Sequence, residues 1–67
     1  MSEFVQLTKR QAVVAGLIAD GFVDKEIAAQ MGISFYTVRG HIKDIRDACG
    51  ARNRAHIAAE WARGHIA

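Results

Sequence analysis

The sequence contains no proline, a single cysteine and no long apolar run, and each absence removes a class of protein. Without proline, glycine and small polar residues are left to punctuate the chain. Cys49 cannot form an internal disulfide and has no partner at metal-ligand spacing, so neither oxidation nor zinc is invoked. No apolar stretch approaches the length of a membrane span, and the N-terminus lacks a signal-peptide pattern. A cytoplasmic location is therefore expected. No nucleophile has a base at fixed spacing, no glycine loop could cradle a phosphate, and His41, His56 and His65 are scattered. Catalysis, a metal and a cofactor are unsupported, and no enzyme is expected.

What is present is a chain of 67 residues, 51% hydrophobic, with a net charge of +2 and a pI near 9.1. That is enough apolar material for one core and too much for a disordered segment. The core is small, so the stability margin is thin. A mildly basic balance permits a polyanionic partner without demanding one, and the placement of charge decides more than its sum.

The chain reads as four helices and no sheet. Residues 1–6 form a short leader, partly frayed, and residues 7–67 the domain. "TKRQ" has capping-box spacing: Thr8 starts the first helix, Gln11 reaches back, and Leu7 staples the entry. This helix runs to about 20, with Val14, Leu17 and Ile18 inward, and Gly21 ends it. Gly16 costs its helix about 1 kcal/mol relative to alanine; it is either drift or, with Ala12 and Ala15 nearby, the place where a neighbouring helix is expected to approach closely. Asp24 is expected to cap a second helix, 25–31, with Ile27, Ala28 and Met31 inward. Gly32 stops it, and Ser34 caps a third helix from 35 to about 49 that Gly50 terminates. Asn53 caps a fourth, from 54 to about 63. There Ile57, Ala58 and Trp61 suit the core, and Ala55, Ala59 and Ala62 form a small-residue stripe.

The connection in "EIAAQMGISFYTV" carries the functional signal. Small Ala28 lets two helix axes approach, Gly32 takes the turn, and Ile33 and Val38 lock the corner. Together they specify a helix-turn-helix. On the following helix Val38, Ile42, Ile45 and Cys49 fall in one stripe, and Tyr36, Arg39, Gly40 and Lys43 fall opposite. An apolar back with a cationic front is what a recognition helix needs to enter the DNA major groove. Arg39 can present two donors to a guanine, and Lys43 a point charge to a base or phosphate. Gly40 either lets the backbone approach base edges or is a tolerated gap. Backbone contacts are expected from Lys25, Ser34, Tyr36 and Thr37, with Thr37 equally suited to capping its own helix. Arg54 is either a phosphate contact or the partner of Glu26 or Asp20. His41 reads as a hydrogen-bonded boundary residue, and His56 and His65 as solvated surface.

At these residues the chain resembles the LuxR-type helix-turn-helix, also called the GerE-like or NarL/FixJ DNA-binding domain. The likeness rests on Leu7, Thr8 and Arg10, Ala19 and Gly21, "KEIA" at 25–28, and "GIS..TV" at 32–38. It continues through His41, Ile45, Gly50 and Arg54. It implies an all-α, four-helix domain that binds double-stranded DNA as a homodimer, associated with the nucleoid. The third helix would sit in the major groove, and the fourth would pair protomers through Ala55, Ala59 and Ala62. Base contacts then map onto Arg39, Gly40 and Lys43, and backbone contacts onto Lys25, Ser34, Thr37 and Arg54.

Several positions depart from the family pattern. Lys9 stands where proline is usual, and Gln11 where a glutamate makes an internal ion pair, which leaves Arg54 freer. Ala15 and Cys49 replace leucines and predict a less filled core. Arg39 replaces a lysine and Gly40 a residue with a side chain, so the preferred site should differ from that of relatives. The opening "MSEF" favours a free-standing regulator over an excised fragment. The alternative function is a protein-interaction module of the same fold that targets RNA polymerase, a sigma factor or another regulator. Asp44, Asp47 and the low net charge leave room for it. Likeness to the promoter-reading end of a sigma factor is a third reading.

Overall fold

A computed structural model describes residues 4–67. Four helices follow one another: α1 Lys9–Ala19, α2 Asp24–Met31, α3 Phe35–Cys49 and α4 Arg54–Ala62. Among the described residues the one β-type pairing is a parallel bridge between Val5 and Ile66. The architecture is all-α, and α1 lies centrally, packed on α3 and α4.

Local chemistry explains the helix ends. Thr8 Oγ1 accepts from the Gln11 amide at 3.2 Å, while Gln11 Oε1 accepts from the Thr8 amide at 3.0 Å. Two otherwise orphaned donors are thus satisfied reciprocally. Asn53 Oδ1 accepts from the His56 amide at 2.9 Å and opens α4. The second helix differs from expectation. Asp24 is its first helical residue and Val23 the cap, because Glu26 Oε1 reaches back to the Val23 amide at 2.9 Å. The Asp24 carboxylate is thereby left for a distant partner.

Each helix contributes to one core: Val14, Ile27, Val38, Ile45 and Ile57 are fully enclosed. Each such side chain stabilises the fold by about 1.5–3 kcal/mol. On α1 the innermost residues are Val14, Ala15 and Ile18, with Leu17 half-buried beside them. A Cβ added at Gly16 would lie 3.2 Å from Trp61 Cζ2. The glycine therefore lets the indole of α4 settle against the backbone of α1, the close approach expected of it.

The termini are joined. The Val5 amide donates to the His65 carbonyl at 2.9 Å, and the Leu7 amide donates to the Ala67 carbonyl at 2.8 Å. Val5 is thus tied into the fold, while residues 1–3 of the expected leader lie outside the described residues. His65 is part of this clasp rather than solvated surface. Its Nδ1 lies 3.0 Å from Glu60 Oε2, and Arg63 Nη1 donates to the same oxygen at 3.4 Å. The hydrogen bond to His65 holds Glu60 below its ordinary value, against the opposing pull of desolvation. His56 is also engaged: its Nδ1 accepts from the Arg52 amide at 3.1 Å.

Candidate nucleic-acid interface

The corner between α2 and α3 is built by three short-range devices. Gly32 closes α2 at φ +67°, a left-handed conformation that costs glycine little. The Ile33 amide then donates back to the Ala28 carbonyl at 3.1 Å. Ser34 Oγ accepts from the Thr37 amide at 3.0 Å, and the two hydroxyls lie 2.9 Å apart. Both hydroxyls thus serve the helix start. Ser34 and Thr37 are exposed at the α2–α3 corner, and Lys25 is exposed at the start of α2.

Beyond the corner, α3 is anchored along one stripe only. Val38 and Ile45 are sealed in the core, and Ile42 and Cys49 pack at its edge. The opposite face is open: Tyr36 is 79% exposed, and Arg39, Gly40 and Lys43 are exposed with it. A Cβ at Gly40 would meet nothing within 4 Å. His41 lies at the boundary, half-buried as expected. Its Nε2, however, is enclosed with no hydrogen-bond partner among the described residues.

The exposed cations are positioned by their own chain. The Arg39 guanidinium lies over the Phe35 ring, 5.7 Å from its centroid, a contact worth about 0.5–1 kcal/mol at an exposed site. Phe35 in turn meets the Tyr36 ring edge-on at 5.7 Å. Lys43 Nζ donates to Asp47 Oδ2 at 3.1 Å. Arg39 and Lys43 border a cleft of about 550 Å³ that is also lined by Asp24, Gly40, Ile42, Arg46 and Arg54. Four cations against one carboxylate make this concavity attractive to anions.

Arg54 joins the cleft through an ion pair, with a partner other than those expected. Its Nη1 donates to Asp24 Oδ1 and its Nη2 to the Phe22 carbonyl, so the start of α4 is strapped to the start of α2. Glu26 is committed to its own helix cap, which removes it as a partner. Gln11, uncharged, serves the cap of α1, and Asp24 supplies the carboxylate instead. Arg54 is therefore not the freed cation that Gln11 suggested.

Two cleft residues escaped the sequence reading. Asp24 was assigned to a cap. Arg46, about 40° round the helix from Ile42 on the side of the cationic front, donates through Nη2 to the Arg52 carbonyl at 2.8 Å. The signal for Arg46 was its i+3 spacing from Lys43. On α4, Ala55 and Ala62 are exposed and Ala59 is half-buried. Among the described residues no group of histidine, cysteine and carboxylate side chains could hold a metal, and no helix is long and apolar enough to cross a membrane.

Comparison with known proteins adds independent findings. The family described as bacterial regulatory proteins, luxR family, matches residues 5–61. The chain is 40% identical over 53 residues to the probable transcriptional regulatory protein SgaR of Hyphomicrobium methylovorum, covering 79% of this chain and 25% of that protein. It is 40% identical over 52 residues to the transcriptional regulatory protein UhpA of Escherichia coli, covering 78% of this chain and 26% of that one. It is 37% identical over 57 residues to the spore germination protein GerE of Bacillus subtilis, covering 85% of this chain and 77% of that protein. The chain spans about a quarter of the length of SgaR and UhpA. No solved structure gives a significant match.

Proposed function

The chain belongs to the luxR family of bacterial regulatory proteins, and from that premise we propose that it is a sequence-specific DNA-binding transcription regulator. The reading puts α3 in the major groove and two copies on two half-sites. The observation that carries it is the division of α3 into a sealed back, Val38 and Ile45, and an open front of Tyr36, Arg39, Gly40 and Lys43. That division occurs on the helix that follows a glycine-closed corner, where an exposed cationic face has a groove to enter.

In this reading Arg39 offers its planar fork to the O6 and N7 of a guanine, and Lys43 its single charge to a base or phosphate. Gly40 leaves room for the backbone to approach the base edges. Lys25 holds a phosphate at the start of α2, and Ser34, Tyr36 and Thr37 at the start of α3, where the start of a helix favours an anion. Arg54 reaches a phosphate with the donors not committed to Asp24 and the Phe22 carbonyl. The exposed Ala55 and Ala62, with Ala59 between them, support a two-fold contact between α4 helices. The regulator would act on nucleoid DNA in the cytoplasm, with RNA polymerase a further partner.

Binding-site selection with the purified protein and two variants tests the assignment. Arg39→Ala should cost about 1–3 kcal/mol at the selected site and relax preference at one position, whereas Lys25→Ala should weaken all sequences alike. A protein-interaction module of the same fold would keep its activity when Arg39 and Lys43 are both reversed in charge.

A further inference from the structure

We propose that Asp47 restrains Lys43 and thereby lowers the protein's affinity for DNA of every sequence by a common factor. This rests on the reading of α3 as the DNA-facing helix. Asp47 follows Lys43 by four residues and stands about 40° from it around the helix, on the same open front. Its Oδ2 accepts from Lys43 Nζ at 3.1 Å, and the two side chains are 67% and 75% exposed.

So exposed a pair adds little to the fold, because water and salt compete for both charges. Its consequence lies in binding. An ammonium is one compact charge on a flexible stem, and Lys43 must leave Asp47 to meet a DNA anion in full. Contact then exchanges a carboxylate for a phosphate, and the neutralised lysine releases less counterion than a lone lysine would. Arg39 differs: it rests over the Phe35 ring with no carboxylate partner among the described residues, so its fork is not subject to the same exchange. Asp47 therefore acts on the charge term of binding through Lys43, and leaves the base preference set by Arg39 intact.

The test is a double-mutant cycle of Asp47→Asn and Lys43→Ala in the full chain. It is read by fluorescence anisotropy on a selected duplex and on duplexes of arbitrary sequence across a salt series. Asp47→Asn should tighten binding to every duplex roughly two- to five-fold at low salt, the range of an exposed pair. It should also steepen the log–log salt slope by about 1. In the Lys43→Ala background the gain should vanish. A gain that survives there means simple repulsion and overturns the proposal. A loss confined to duplexes with a cytosine at one position makes Asp47 a base reader and overturns it too, as does unchanged affinity. If the wild-type chain binds no duplex at any salt, the DNA reading itself falls. Tight wild-type binding with an inert Asp47→Asn sinks only the role of Asp47. Melting curves of the variants separate any folding effect.

Discussion

Gly16 and Gly40 interrupt two helices at similar intrinsic cost, about 1 kcal/mol each relative to alanine, yet their surroundings are opposite. At Gly16 an added Cβ would press on the Trp61 indole, whereas at Gly40 it would find open space. The first glycine is explained by the fold: it lets α1 and α4 close on each other. The second has no packing reason to exist. A glycine that weakens a thin-margined domain without serving its core is what the proposed approach of DNA to the cationic front of α3 would call for.

The contrast can be broken by substitution. Gly16→Ala gains helix propensity but overpacks the α1–α4 seam. With overpacking at about 2 kcal/mol and propensity returning about 1, the net loss is about 1 kcal/mol in chemical denaturation. Trp61→Phe in the same chain should remove most of that penalty by withdrawing the larger ring. Gly40→Ala should do the reverse, stabilising the domain by about 0.5–1 kcal/mol while weakening binding to its selected duplex. A Gly40→Ala protein that is more stable and binds as well as wild type would reduce Gly40 to a tolerated gap.

The smallest effect concerns the clasp that closes the core beside Trp61. Glu60 is held below its ordinary value by the hydrogen bond to His65. Its folded value lies under its unfolded one, so its contribution is present above the usual carboxylate range. It is lost as pH falls through the folded value. Glu60→Gln should flatten the acid limb of a stability–pH curve, with little change at neutral pH in how Gly16 and Gly40 compare. An acid limb unchanged by Glu60→Gln would remove the clasp from the account.

The same contrast shows what the sequence could reveal. The corner and every helix boundary but the start of α2 were legible because their determinants are local: Thr8 with Gln11, Gly32 with Ala28, Ser34 with Thr37. The front and back of α3 were legible because a helical period sorts them. The approach behind Gly16 was inferable, but its partner, Trp61, was not, since residues 45 apart share no local pattern. Arg54 failed for the same reason. A charge count around it offered Glu26 and Asp20, and only the packing of α2 against the start of α4 selected Asp24. His56 and Arg46 anchor the turn before α4, and His65 the terminal clasp. Contacts made by loops and ends leave no period to read.

The central claim, that the open front of α3 meets the charged edges and backbone of duplex DNA, is tested most directly by salt. Affinity for a selected duplex, measured by anisotropy from low to physiological salt, should fall along a log–log line. Its slope should be about −4 to −5, as expected when roughly 4–6 phosphates are neutralised per protomer. A slope near zero, or one unchanged when Arg39 and Lys43 are reversed in charge, would contradict it.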